Sequence, residues 1–183
     1  MKQYIQWDIC TEMVVLDGQL QGRYASYKSS KEDIMQRCGR LGDAVPPDVE
    51  LGFHLCYGDY AHHHFKEPID TANLVAVANA ITGAAQRPIN WLHLPVPRDR
   101  DDDAYFAPLR NLIRPAGTEL YLGLIHFTDG AAGAQRRIAA ASRVVADFGI
   151  ATECGLGRRS PETLIDLLTI YRDVADRLSA NAG

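Results

Sequence analysis

Short, nearly continuous apolar runs alternate along this chain with longer stretches whose apolar positions recur every three or four residues. The runs at 3–9, 50–55, 89–94, 119–125 and 148–152 are rich in Ile, Leu, Val, Trp, Tyr and Phe, and they predict strands. Between them the period changes. Ser29-Ser30-Lys31-Glu32 resembles a capping box opening a helix through Ile34, Met35 and Cys38, which stops at Gly39 or Gly42 before Pro46-Pro47. Asp70-Thr71 opens a second helix carrying Leu74, Val75, Val77, Ala78 and Ile81. Tyr105, Phe106, Leu109 and Leu112 mark a shorter one, and an alanine-rich helix carries Ile138, Val144 and Val145. Ser160-Pro161-Glu162 starts the last helix, with Leu164, Leu167, Leu168, Tyr171, Val174, Ala175 and Leu178 on a 3.6-residue period. The twenty residues after the first strand, with Gly18, Gly22, Tyr24 and Tyr27, have no clear period and read as a long loop.

The predicted order βαβαβαβαβα is that of an α/β protein with a parallel sheet, because strands covered on both faces read as unbroken apolar runs. No linker, repeat or low-complexity tract divides residues 1–183, so one domain is expected.

Composition adds mainly exclusions. Hydrophobic residues make up 46% and charged residues 23% of the 183, ordinary for a globular protein. A formal net charge of -4 argues against a phosphate-backbone partner, so no nucleic acid is expected. No apolar run approaches the roughly 20 residues of a membrane span, and Met1-Lys2-Gln3-Tyr4 leads into a strand and not a signal sequence. A cytoplasmic protein is the expectation. In a reducing compartment Cys10, Cys38, Cys56 and Cys154 are read as thiols or ligands, not disulfides. Cys38 falls inside a helix as a small buried hydrophobe, and Cys10 is read as structural.

The polar residues with chemistry sit at one place in each unit. Asp8 ends the first strand, His54 and Cys56 the second, His93 the third and His126 the fourth, while Cys154 follows the fifth. In parallel α/β folds those ends form one rim, where sites are built. His54 and Cys56 alternate on a strand and so point the same way. Two thiols and an imidazole are zinc donors that leave a coordination position open. His62-His63-His64 offers more imidazoles, but consecutive residues diverge and a solvated loop is the better reading. The acidic run from Asp99 to Asp103 reads as a solvated loop favouring the next helix N-terminus and not as a magnesium site. Arg158-Arg159 could hold a phosphate or carboxylate, or face solvent.

Taken together, His54-Leu55-Cys56-Tyr57, Ile5-Gln6-Trp7-Asp8, Ile125-His126 and Glu153-Cys154-Gly155-Leu156-Gly157-Arg158 resemble cobalamin-independent methionine synthase. More broadly they resemble the uroporphyrinogen-decarboxylase/methionine-synthase-like superfamily. The resemblance implies a (β/α)8 TIM-barrel type fold, of which this chain carries about five β/α units as a partial barrel, equivalent to strands four to eight. It implies a catalytic zinc on His54, Cys56 and Cys154, a proton donor at His126, and Asp8 holding the amino group of the substrate. The chemistry implied is methyl transfer from a methylated folate-type donor to a thiol such as homocysteine, in methionine synthesis. Where the family places a glutamate ligand this chain has His93, which reads either as a fourth ligand or as a substrate contact. An unclosed sheet has two adhesive edges. A homodimer, or a partner chain completing the barrel, is therefore expected. The rival expectation is a non-catalytic half-barrel that binds zinc or a ligand without turnover.

Overall fold

A computed structural model of the chain describes residues 2–17, 30–58 and 66–181. Five strands, β1 (Tyr4–Ile9), β2 (Glu50–Leu55), β3 (Trp91–Pro95), β4 (Glu119–Ile125) and β5 (Phe148–Thr152), form one parallel sheet in the order 1-2-3-4-5. The order never reverses, unlike that of a doubly wound sheet. Crossovers of one hand that all step the same way place their helices on the same face. That face is the core: Ile9, Leu51, Phe53, Leu55, Leu92, Leu94, Leu120, Leu122 and Leu124 are buried. The helices facing them are α2 (Lys31–Asp43), α3 (Ala72–Ala84), α5 (Gly130–Ser142) and α6 (Pro161–Asn181), which contribute Ile34, Leu74, Ile81, Ile138, Leu167 and Val174. At about 1.5–3 kcal/mol for each fully buried large aliphatic side chain, this layer is the main stabilising term.

Among the described residues, the opposite face is open. Register places Gln6, Gly52, Trp91 and Glu119 in one row across it, and Asp8, His54, His93, Tyr121 and Gly149 in the next. The Trp91 indole lies across Gly52, where a Cβ would fall 1.9 Å from a ring carbon, and its Nε1 donates to Gln6 Oε1 at 2.8 Å. A concavity of about 550 Å³ remains on this face, lined in part by Tyr4, Trp91, His93, Tyr121, Leu156 and Tyr171.

Several sequence expectations are corrected at element ends. The stretch read as a long loop begins with α1 (Thr11–Leu16), whose Met13, Val14, Val15 and Leu16 are all buried. Six residues are too few to display a helical period, and no side chain caps the helix. The rest of that loop, 18–29, lies outside the described residues, as does the triplet His62-His63-His64. The capping box of α2 pairs Ser30 with Asp33, one position later than the expected Ser29 and Glu32. The helix after the acidic run is split into α4 (Asp103–Phe106) and a 3-10 turn (Ala107–Asn111) containing Pro108, which has no N–H to continue an α-helical ladder. Strand β3 starts at Trp91, two residues later than expected, because Asn90 spends its side-chain oxygen on Leu51 N. Helix α5 stops at Ser142, short of Val144 and Val145. Within the acidic run Arg100 pairs with Asp102, Arg136 with Asp101 and Arg143 with Asp103. No helix among the described residues is long and apolar enough to cross a membrane.

Candidate metal centre

The sheet register explains why the rim residues meet. Asp8, His54 and His93 are direct neighbours on β1, β2 and β3. The His54 and His93 rings stack with centroids 4.2 Å apart at 29°. Beyond them the ladder runs one step further, Cys56 N donating to Ile9 O at 3.2 Å, so Cys10 and Cys56 sit side by side. At the other edge β4 and β5 shift register between Gly123 and Ile125, and Glu153 N donates to Ile125 O. Such an irregularity re-aims the side chains that follow it. Gly155 then adopts φ +85°, a left-handed turn that favours glycine, and this turn carries Cys154 inward.

One donor atom from each of His54, Cys56 and Cys154 lies within 4.8 Å of the other two. That is close to the span one ion bonded at about 2.0–2.3 Å to each would bridge. The Cys56 and Cys154 sulfurs are 3.2 Å apart, and Gly58 N donates to Cys56 Sγ. His54 Nδ1 faces the His93 carbonyl at 3.2 Å, which fixes a proton there and leaves the lone pair on Nε2. Nε2 is buried without a well-formed hydrogen bond. An imidazole nitrogen beside two sulfurs fits a thiophilic divalent ion. Burial opposes a charge on His54, but the Cys154 thiol and the charges of Asp8 and Cys154 outweigh it and raise its pKa.

His93 does not join this donor group. Burial, and then the charge of His54, push its pKa down to about 3, so it is a neutral ring. Its Nε2 is also buried and unsatisfied, and the ring lines the concavity. What His93 gives His54 is a main-chain carbonyl and a stacking surface.

Sequence reasoning missed Cys10 as part of the site. Its thiol hydrogen-bonds with that of Cys56, which lowers the pKa of Cys10 and, together with Cys154 and burial, raises that of Cys56 far above the ordinary thiol range. Only the β1–β2 register reveals the contact. Cys38 matches its expected role, buried in the core with its thiol pushed up to about 11 by desolvation.

Asp8 stands on the open side of the site. Desolvation raises its pKa, His54 pulls it down, Cys154 raises it and Arg158 lowers it again. The two arginines read together in the sequence separate: Arg158 Nη2 reaches 4.0 Å from Cys154 Sγ, whereas Arg159 is buried, pairs with Glu153 and lies over the Phe127 ring at 5.4 Å.

His126 is 5% exposed, with Nε2 2.8 Å from Val96 O and Nδ1 3.1 Å from Glu153 Oε2. Both partners are acceptors, so both contacts are hydrogen bonds only when each ring nitrogen carries a proton. Burial works against a charged Glu153, but the hydrogen bond and charge of His126 and the charge of Arg159 hold its pKa down at about 2. His126 thus belongs to a second cluster with Glu153 and Arg159, outside the group formed by His54, Cys56 and Cys154. Comparison with known protein families, curated proteins and solved structures finds no match to this chain.

Proposed function

We propose that His54, Cys56 and Cys154 hold zinc and that the site activates a small thiol for methyl transfer, as the likeness to cobalamin-independent methionine synthase implies. The observation that carries the reading is the convergence of His54, Cys56 and Cys154, whose donor atoms lie within 4.8 Å of one another, with His54 Nδ1 held on a backbone carbonyl. A bound zinc would supply a lowered thiol pKa, making the substrate a thiolate at neutral pH.

The chain's own residues do the rest. Asp8 offers a carboxylate on the solvent side of the donors for a substrate ammonium, such as that of homocysteine. His93, neutral and facing the concavity, presents a ring and an unsatisfied nitrogen to the substrate and not a fourth ligand. His126, the proton donor the likeness implies, is held between Val96 O and Glu153. The one-directional strand order supports a partial (β/α)8 barrel, with the concave face as the barrel interior and the rim as its C-terminal end.

The bare concave face favours a second reading. In it the same unit binds zinc or a ligand without turnover until another copy or a partner chain covers the sheet. Metal analysis of protein purified without added zinc tests the first claim, with one equivalent expected and a large loss in Cys56→Ser. Zinc well below one equivalent in the parent protein refutes it. Methyl transfer from a methylated folate to homocysteine by that zinc-loaded protein separates the two readings.

A further inference from the structure

The three thiols at the rim form a chain with Cys56 in the middle. Its sulfur lies 3.2 Å from that of Cys154 and hydrogen-bonds with that of Cys10. Cys56 is buried, whereas Cys10 and Cys154 are half-buried. Neighbouring strands bring residues such as Cys10 and Cys56 to about 5 Å between backbones, inside the roughly 4.4–6.8 Å that a disulfide spans between Cα atoms. On the other side, the 3.2 Å between Cys56 and Cys154 need shorten by only about 1.2 Å to reach a bond of about 2.05 Å. The fourth cysteine, Cys38, is packed in the core among apolar side chains.

We propose that Cys56 is the shared sulfur of two alternative disulfides, one with Cys154 and one with Cys10, and that a hydroperoxide switches the site off by forming them. The Cys154 thiolate attacks one peroxide oxygen; the S–O bond forms, the O–O bond breaks, and the departing alkoxide or hydroxide takes up a proton. Cys56 then attacks the sulfenic sulfur of Cys154, forming the S–S bond and expelling hydroxide, which leaves as water with the Cys56 proton. Two electrons pass from sulfur to peroxide, and two thiols plus one hydroperoxide give one disulfide, one water and one alcohol or second water. The Cys10 thiolate next attacks Cys56, breaking its bond to Cys154, which departs as thiolate; this exchange is redox-neutral. Either bridge takes Cys56 out of the donor set. Loss of metal rests on the zinc reading above, whereas the two disulfides do not.

The test uses reduced, metal-free protein treated with one equivalent of hydrogen peroxide. Free thiols fall from four to two, and peptide mapping finds Cys56 bridged to Cys154 in one fraction and to Cys10 in another, with Cys38 free. Cys10→Ser yields only the Cys56–Cys154 bridge, and Cys154→Ser only Cys10–Cys56. Oxidised protein takes up no zinc until dithiothreitol restores it. A wild-type map with Cys56 unbridged, or bridged to Cys154 alone, overturns the proposal. Reduced protein that takes up no zinc at all overturns the zinc reading instead and leaves the disulfide result standing.

Discussion

Replacing Glu153 by glutamine removes a negative charge held between His126 and Arg159 while keeping the shape and an acceptor oxygen. The Glu153 side chain is 16% exposed, and its pKa is held at about 2 against an ordinary 4.5. At about 1.4 kcal/mol per pH unit, that gap corresponds to about 3 kcal/mol of stability. The sign follows from the direction. A carboxyl whose folded pKa lies below its unfolded value stabilises fully above about pH 4.5, and that stability is lost as pH falls through about 2. Urea unfolding of parent and Glu153→Gln proteins, followed by circular dichroism at pH 7 and pH 3, reads this out. The variant loses about 3 kcal/mol at pH 7, a midpoint shift of about 1 M urea. Roughly half or more of the difference has closed by pH 3. A difference under about 0.5 kcal/mol at pH 7, within the range of an ordinary surface change, would refute the reasoning. So would a difference that is the same at both pH values.

Other outcomes follow from the same geometry. Arg137 is fully buried, donates to Leu124 O and Arg98 O and pairs with Asp129; Arg137→Met removes these bonds, leaves Asp129 paired with Arg136 at 3.6 Å, and costs about 3 kcal/mol in chemical denaturation. Gly52→Ala drives a methyl into the Trp91 indole, so it lowers stability by about 1–3 kcal/mol and shifts tryptophan fluorescence as the bond to Gln6 breaks. His54→Ala removes an assigned donor and lowers zinc content below half an equivalent, whereas His93→Ala keeps close to one, because only the backbone carbonyl of His93 serves the donor set. Equal zinc loss in both variants, measured by plasma emission on protein purified without added metal, would place the His93 ring in the coordination sphere.

The strands were legible because the helix-covered face needs apolar side chains at alternate positions, such as Leu51, Phe53 and Leu55 on β2 and Leu120, Leu122 and Leu124 on β4. Residues 50–55, 119–125 and 148–152 coincide with β2, β4 and β5 for that reason. His54 and Cys56 were legible as a pair because strand alternation is a property of two residues alone. Cys154 followed from its place after β5. What stayed hidden depends on pairs of strands. The contact of Cys10 with Cys56 needs the β1–β2 register, and the His126–Glu153–Arg159 cluster needs the register shift between β4 and β5. The stack of His54 on His93 needs the row that aligns Asp8, His54 and His93. Helix α1 was hidden for a different reason: four consecutive buried residues, Met13 to Leu16, carry no period for a pattern to find.

Anomalous scattering at the zinc edge from a crystal of the protein tests the metal centre most directly. The prediction is one peak within bonding distance of His54 Nε2, Cys56 Sγ and Cys154 Sγ, with the His93 ring stacked beside it and outside the coordination sphere. No peak among these three residues in protein grown with zinc, or a peak bound elsewhere on the chain, would contradict it.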